Sequence, residues 1–315
     1  MTSLTLYTPS GVLAQAAPLR RAAKRLRALG FEVQVDADAL ARHQRFAGDD
    51  DRRLAALHRI ATQAPSIAMA TRGGYGLTRL LDRIDWPLLA RSVERGTRWV
   101  GYSDVTALQL GLLAHAKGTK PVTWAGPLAC DDFGMADAAP GSGPAASRDE
   151  ASVGVDEVTR DCFVEAMSGE LEAVGFRTEA GFDGLEVRGA LWGGNLCMLG
   201  SMLGTPHFPR VRSGVLFLED VNEHPYRVER TLLQLHQAGV LDQQKAVLLG
   251  HFSGFRKSPL DRGYTLKSAV RHLRSITSTP ILTGLPFGHV PTKVCLPVGA
   301  RVTLVVQGRN ALIGW

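Results

Sequence analysis

"WVGYSDVTALQLGLLAHAKG", residues 99–118, joins a short apolar run to a segment with helical spacing, and Ser103 stands at the junction. A serine at a strand-to-helix corner is either the N-cap of the helix or a nucleophile held at the tip of a sharp turn. The sequence G-Y-S-D lacks the second glycine of the G-x-S-x-G elbow, so the match to that motif is partial. Taken alone, this stretch leaves both interpretations open.

The chain on both sides of this corner alternates between strand-like and helical patterns. Helical spacing occurs over residues 14–29, over DDRRLAALHRIAT and from Asp104 to about residue 117. The strand-like runs before, between and after these segments are LTLYTPS, FEVQVDA, SIAMATR, RWVGYS and KPVTWAGP. This alternation predicts a parallel, doubly wound α/β sheet, in which ligands bind beyond the carboxyl ends of the strands. Ser103 would lie there, where the helix start and the Asp104 amide would stabilise an oxyanion.

The composition changes after this part, which predicts two domains in a chain of 315 residues. We expect an N-terminal α/β domain over residues 1–140 and a linker or mobile loop, rich in Ala, Gly and Ser, over residues 141–165. Residues 166–315 are expected to form a β-rich β/α domain, with helices near 225–238 and 264–276.

Charge and composition restrict the class of function. The formal net charge is +6, and the basic residues cluster in amphipathic stretches that are typical of solvated helix faces. Without an aromatic-laced basic patch, nucleic-acid binding is not expected. No apolar run approaches the roughly 18 residues of a membrane helix, and no leader pattern is seen, so a cytoplasmic protein is expected. The four cysteines lack CxxC spacing, which argues against a metal site or a disulfide framework.

A nucleophilic serine needs a base, and the base needs an orienting acid. His289 is the best candidate base, because it lies on the loop GLPFGHVP after an apolar strand pattern. Of the alternatives, His115 and His236 lie within helical segments, His251 lies close behind a strand, and His224 opens a helix as a possible cap. The run GVLFLED ends in Glu219 and Asp220, which are either functional carboxylates or caps of the next turn, and Glu223 is close in sequence.

The segment ATRGGYG, residues 70–76, is the remaining signal. Glycines after a strand suit a loop that donates N–H groups to an anion, although a plain tight turn would have the same composition. The segment lacks both the GxGxxG spacing and a Walker lysine, so a phosphate loop is not supported.

Together these motifs resemble the LD-carboxypeptidase (muramoyltetrapeptide carboxypeptidase) family of serine peptidases. The resemblance covers most of the chain and rests on TPSG, ATRGGYG, VGYSDVTAL, WGGNL, LFLEDVNEHPYRVERTL and GLPFGHVP in that order. It implies a flavodoxin-like N-terminal domain, similar to class I glutamine amidotransferases, and a swivelling β/β/α-type C-terminal domain. It also implies metal-free and cofactor-free hydrolysis of an L,D-peptide bond, which releases the terminal D-alanine of muropeptide tetrapeptides in cytoplasmic peptidoglycan recycling.

The resemblance assigns roles to individual residues. It places the nucleophile at Ser103, the acid at Glu219 and the base at His289, and it pairs the amide of Asp104 with a glycine amide of the GGYG loop as an oxyanion hole. Whether that glycine is Gly73 or Gly74 stays open. Its substrate-side residues would be Arg72, Tyr75, Trp192, Asn195 and Arg227.

The arginines among these residues have an expected role, and the tryptophan has an alternative interpretation. Arg72 or Arg227 would hold the terminal carboxylate of the substrate, whereas Trp192 fits a core position equally well. A homodimer is an expectation from the resemblance alone.

Two alternatives accompany this assignment. A microcin C immunity-type peptidase would cleave a peptidyl-nucleotide with the same triad and would need an aromatic platform, for which Phe133 is the only aromatic residue in the Ala/Gly/Ser-rich stretch from about 131 to 157. An inactive peptide-binding module of the same fold is the non-enzymatic alternative.

Overall fold

The parallel sheet expected for the first half of the chain is present. The structure is a computed structural model that describes residues 2–116, 118, 120–136 and 154–315. Five strands of the first sheet follow one another in the chain: Thr2–Tyr7 (β1), Phe31–Val35 (β2), Ile67–Ala70 (β3), Arg98–Val100 (β4) and Thr123–Ala125 (β5). They pair in parallel in the order β5-β4-β3-β1-β2, which confirms the doubly wound α/β fold.

Helices connect these strands. They are Ala17–Ala28 (α1), Asp50–Gln63 (α2), Trp86–Glu94 (α3) and Thr106–His115 (α4). The sequence pattern predicts α1, α2 and α4 and misses α3, a short helix that begins with Trp-Pro after an Asp85 cap whose carboxylate accepts the Leu88 amide.

The second sheet is mixed and carries most of the second half of the chain. Its strands are Ala173–Arg177 (β6), Glu186–Asn195 (β7), Val215–Val221 (β8), Ala246–Ser253 (β9), Ile281–Thr283 (β10), Arg301–Gln307 (β12) and Asn310–Gly314 (β13). Their order is β10-β9-β8-β7-β12-β13-β6, parallel from β10 to β7 and antiparallel from β7 to β6. The associated helices are Leu196–Met202 (α6), Pro225–Gln237 (α7) and Leu266–Ile276 (α8).

The strand β8 is central in this sheet, and its sequence reflects that position. Residues 215–220 are all buried, which fits a parallel strand covered on both faces. A strand of this kind is apolar until its end, so the two carboxylates at its carboxyl end are buried by the fold and must be hydrogen-bonded.

Two elements differ from the domain limits that the sequence suggests. The last part of the expected linker is a helix, Glu157–Ser168 (α5), whose Phe163 packs against Phe31 and Phe133 of the first half of the chain. The strand Leu296–Val298 (β11) pairs antiparallel with β5, so a late segment of the chain completes the first sheet. Residues 137–153, which include the first part of the expected linker, lie outside the described residues. The limits at 140 and 166 stay a prediction.

Within the residues that the structure describes, no helix has both the length and the apolar character needed to cross a membrane.

The contact between α3 and α4 allows a test of this packing. A methyl group at Gly111 would lie 2.3 Å from Cη2 of Trp86, too close for any real contact. We expect Gly111→Ala to destabilise the protein by about 1–3 kcal/mol, although alanine is the better helix former, because overpacking outweighs propensity. Urea unfolding of the wild type, Gly111→Ala, Trp86→Leu and the double variant measures this. The loss should shrink in the Trp86→Leu background, and an equal loss in both backgrounds would contradict the steric explanation.

Candidate active site

Ser103 occupies a strained elbow between β4 and α4. Its φ is +64°, in the left-handed region that residues other than glycine rarely adopt, and the preceding Tyr102 is extended. Residues 103–105 form a 3-10 turn that leads directly into α4. A strained residue of this kind persists only where its surroundings hold it, and such residues cluster at functional sites. The geometry therefore supports the nucleophile interpretation over a plain N-cap, for which no side-chain capping bond is present at this turn.

The glycine loop after β3 packs against this elbow. A methyl group at Gly73 would lie 2.7 Å from both Cβ and Oγ of Ser103 and 3.4 Å from the Asp104 amide nitrogen. A methyl group at Gly74 would instead meet Gly11 at 3.3 Å. Of the two glycines left open by the sequence, Gly73 is thus the one in contact with Ser103.

His289 and Glu219 form a hydrogen-bonded pair. Nδ1 of His289 lies 2.7 Å from Oε2 of Glu219, whose side chain is completely buried, and about one fifth of the His289 side chain is exposed. Because Nδ1 donates to the carboxylate, the tautomer is fixed and Nε2 is left to accept a proton. The ring of Tyr102 packs edge-on against His289 with ring centroids 4.8 Å apart, so the residue just before Ser103 contacts the candidate base.

Asn195 holds the candidate acid from the other side. Its Nδ2 donates to Oε1 of Glu219 at 3.1 Å and to Oδ1 of Asp220 at 3.0 Å. Its backbone amide donates to the Thr106 hydroxyl at the start of α4, at 3.0 Å. Asn195 therefore links the end of β7, in the second sheet, to the helix that Ser103 opens, and it orients Glu219 rather than reaching toward solvent.

Asp220 is a second buried carboxylate beside this pair. It accepts the amides of Cys197 and Val221 as well as Asn195. Burial, together with the charge of Glu219, raises the pKa of Asp220 to about 6 against the opposing effect of its hydrogen bonds. Asp220 therefore helps to hold Asn195, which in turn bonds Glu219. From the sequence, Asp220 is only an alternative to Glu219 as the functional carboxylate.

A cavity of about 290 Å³ adjoins His289. Its walls come from Tyr102, Asp131, Asp132, Met135, Gly154, Asp156, Thr159, His289, Val290, Pro291 and Lys293. At its base the buried Lys293 ammonium pairs with the buried Asp132 carboxylate. The sequence analysis missed these two residues, because they are distant in the chain and neither belongs to a motif; only the position of Lys293 shortly after His289 hints at the site.

The two aromatic residues predicted on the substrate side differ in burial. Trp192 is completely buried, and its Nε1 donates to Gln244, so it belongs to the core alternative. Tyr75 is about two-fifths exposed and packs against Phe46.

The two candidate arginines also differ in position. Arg72 lies next to Gly73 and donates from Nη1 to the Val12 carbonyl, while its buried Nε has no hydrogen-bond partner within the described part of the chain. Arg227 pairs with Glu223 and lines a separate cavity that does not include His289.

No cluster of three or more His, Cys, Asp or Glu side chains that could hold a metal occurs within the residues that the structure describes. A strained serine at a helix start, a glycine loop against it and a buried Glu–His pair are together typical of serine-type hydrolases.

Comparison with known proteins identifies the family. Residues 4–122 match the family model described as the LD-carboxypeptidase N-terminal domain, and residues 188–304 match the model of the LD-carboxypeptidase C-terminal domain. The chain belongs to the LD-carboxypeptidase family and is a serine-type carboxypeptidase, which confirms the resemblance inferred from the motifs.

Similar proteins include two curated relatives and one crystal structure. The probable murein peptide carboxypeptidase of Bacillus subtilis is 29% identical over 96% of this chain and 90% of its own length. The murein tetrapeptide carboxypeptidase of Pseudomonas aeruginosa is 29% identical over 98% of this chain and 94% of its own. The muramoyltetrapeptide carboxypeptidase of Oxalobacter formigenes is 38% identical, with a TM-score of 0.85 over 99% of this chain and 98% of its own.

The contact between Gly73 and Ser103 generates a prediction. Gly73→Ala should lower the rate at which Ser103 reacts with a fluorophosphonate probe by at least about tenfold, because the added methyl group displaces the hydroxyl or the loop amides that stabilise the anionic adduct. Intact-mass spectrometry follows the labelling. Gly175→Ala is the matched control, because Gly175, like Gly73, is outside the left-handed region and its added methyl group would have no neighbour closer than 3.9 Å; it should label at the wild-type rate. Wild-type labelling of folded Gly73→Ala would contradict the assignment.

The raised pKa of Asp220 predicts a pH dependence of stability. Between about pH 4 and pH 6 the folded protein keeps the Asp220 proton that the unfolded chain loses, so this contribution to the free energy of unfolding is full below pH 4 and is lost as the pH rises through 6. Relative to Asp220→Asn, the wild type should lose about 2 kcal/mol between pH 4 and pH 7.

Urea unfolding at each pH measures this difference. Glu94→Gln, at an exposed helix position, should follow the wild-type curve. Parallel curves for the wild type and Asp220→Asn would show that Asp220 titrates alike in both states.

Proposed function

We propose that this carboxypeptidase releases the terminal D-alanine from muropeptide tetrapeptides by means of a triad of Ser103, His289 and Glu219. The observation that carries the proposal is the 2.7 Å bond between His289 and the buried Glu219, beside a serine held in a left-handed elbow. The names of the relatives, murein peptide and muramoyltetrapeptide carboxypeptidases, support the substrate class.

The proposed reaction proceeds through an acyl-enzyme. Nε2 of His289 accepts the Ser103 hydroxyl proton as Oγ attacks the carbonyl carbon of the residue before the terminal D-alanine, and Glu219 stabilises the imidazolium that forms. The tetrahedral oxyanion accepts hydrogen bonds from the Asp104 amide and from the glycine loop at Gly73, each worth about 3 kcal/mol.

The intermediate then collapses, and the enzyme is regenerated. His289 gives its proton to the amine of the leaving D-alanine, and the carbon–nitrogen bond breaks. Water, deprotonated by the same imidazole, hydrolyses the ester and restores the Ser103 hydroxyl. These steps need only groups of the chain, the peptide and water.

A carboxypeptidase must also bind the terminal carboxylate of its substrate. Arg72 is the better of the two candidates, since it directly precedes Gly73, whereas Arg227 is engaged with Glu223 and lines a separate cavity. Peptidoglycan recycling in the cytoplasm, and a homodimer, remain parts of the proposal that rest on the family alone.

The microcin immunity-type alternative has less support. Phe133 is completely buried and packs edge-on against Phe163 with ring centroids 5.3 Å apart, so it offers no face on which a nucleotide base could stack. A peptidyl-nucleotide is therefore retained only as a comparison substrate.

The test uses UDP-MurNAc-tetrapeptide with EDTA present. The wild type should release one D-alanine per tetrapeptide, which mass spectrometry detects as a loss of mass. Ser103→Ala should lose at least about 10³-fold in kcat, because the acyl-enzyme cannot form. Ser201→Ala, which removes an exposed hydroxyl from α6, is the control and should keep the wild-type rate. Release that persists in Ser103→Ala would overturn the mechanism. A folded wild type that releases nothing from the tetrapeptide but cleaves a peptidyl-nucleotide would overturn the substrate, and one that cleaves neither would indicate a binding module.

A further inference from the structure

Two loops meet behind the Ser103 elbow. The turn TPSG, residues 8–11, follows β1, and the glycine loop, residues 73–76, follows β3. The amide of Gly11 donates to the carbonyl of Gly73 at 3.1 Å, so the two loops contact each other through their backbones. The TPSG turn is therefore bonded directly to the residue that lies against the Ser103 hydroxyl.

The side chain of Asp104 ties both loops to the elbow. It is almost completely buried, and its Oδ2 accepts the Ser10 hydroxyl at 2.6 Å and the Leu77 amide at 2.9 Å. Ser10 belongs to the TPSG turn, and Leu77 is the first residue after the glycine loop. Asp104 directly follows Ser103, so a single carboxylate connects the nucleophile's own turn to both loops.

Helix capping does not explain this carboxylate. An acidic residue in the first turn of a helix ordinarily caps the free amides of that helix or interacts with its dipole. The turn at 103–105 and α4 have no side-chain capping bond, and the partners of Oδ2 belong to residues 94 and 27 positions away in the chain. The bonds of Asp104 are therefore directed at the loops.

A buried arginine holds the same two loops from another direction. Nη1 of Arg53 donates to the carbonyls of Pro9 and Gly76, at 3.0 and 2.9 Å, and the side chain is fully buried. A methyl group at Gly76 would lie 2.5 Å from that nitrogen, so glycine is required for this approach. Arg53 therefore binds one carbonyl of each loop, while Asp104 accepts one donor from the TPSG turn and one from the residue directly after the glycine loop.

We propose that the Asp104 carboxylate is a positioning residue, which locks the TPSG turn and the glycine loop around Ser103 and so keeps the loop amides in place for the oxyanion. This inference rests on the proposed function for the role of those amides. The Asp104 backbone amide and its side chain then have separate tasks: the amide contacts the oxyanion, and the carboxylate holds the opposite wall of the hole.

The chemistry of the contact determines the informative variants. Both groups that reach Oδ2 are donors, so the position needs an acceptor. Asparagine retains an acceptor oxygen of the same size, whereas alanine leaves the Leu77 amide and the Ser10 hydroxyl without a partner inside the protein. Ser10→Ala removes the bond to one loop only.

The experiment combines kinetics with hydrogen exchange on the full chain. Asp104→Ala should lose at least about 30-fold in kcat with KM changed less than threefold, because a misplaced amide weakens binding of the transition state more than binding of the substrate. Ser10→Ala should fall between this variant and the wild type, and Asp104→Asn should recover to within about fivefold of the wild type. Amide exchange over residues 73–77 should be faster in Asp104→Ala than in Asp104→Asn.

Thr279→Val is the stability control. Thr279 lies just before β10 in the second sheet, is buried, and donates its hydroxyl to the Leu241 carbonyl at 3.1 Å, a contact that involves neither Asp104 nor the two loops. The variant should lose stability while keeping kcat and exchange over residues 73–77 close to wild type.

The outcomes separate this inference from the proposed function. If the wild type releases no D-alanine, the proposed function fails. Amide exchange over residues 73–77 and the rate of fluorophosphonate labelling of Ser103 still show whether the Asp104 carboxylate positions the two loops. Wild-type kcat and wild-type loop exchange in folded Asp104→Ala would overturn the inference. An equal kcat loss in Thr279→Val would also overturn it, because the effect would then be one of general stability.

Discussion

The backbone of Ser103 is held at φ +64° by contacts that arrive from several parts of the chain. A left-handed, non-glycine residue costs of the order of 1–3 kcal/mol, so surrounding packing must compensate. Gly73 lies against the side chain, and Asp104 anchors the turn to the two neighbouring loops. Without this constraint the serine would relax to an ordinary helix start, and its hydroxyl would lose its fixed relation to the glycine loop.

The site is completed by groups from the other sheet. Glu219 lies near the carboxyl end of β8, whose residues 215–220 are all buried, and its two oxygens are bonded to His289 and to Asn195. Asn195 also donates its backbone amide to Thr106, so the acid is fixed relative to the helix that carries the nucleophile. A buried carboxylate with both oxygens satisfied keeps its geometry, which a base–acid pair requires for its orientation.

Much of this arrangement is readable from local patterns. The alternation of strands and helices predicts the first sheet, and the family resemblance carried by GYSD, GVLFLED and GLPFGHVP implies the three residues of the proposed triad. Local patterns fail where structure depends on distant partners. The strand β11 crosses into the first sheet, α5 lies where composition suggests a linker, and Trp192 takes a core position because Gln244 satisfies its indole nitrogen.

The sequence by itself determined the α/β class, the family and the residue types that carry the chemistry, because periodicity, glycines and motif order are local properties. Only the tertiary structure decided which glycine meets Ser103, that Asn195 orients Glu219 and that Asp104 spans two loops. These contacts join residues 24 to 94 positions apart in the chain. Their partners are selected by burial and by the need to satisfy each buried polar group, which only the folded chain defines.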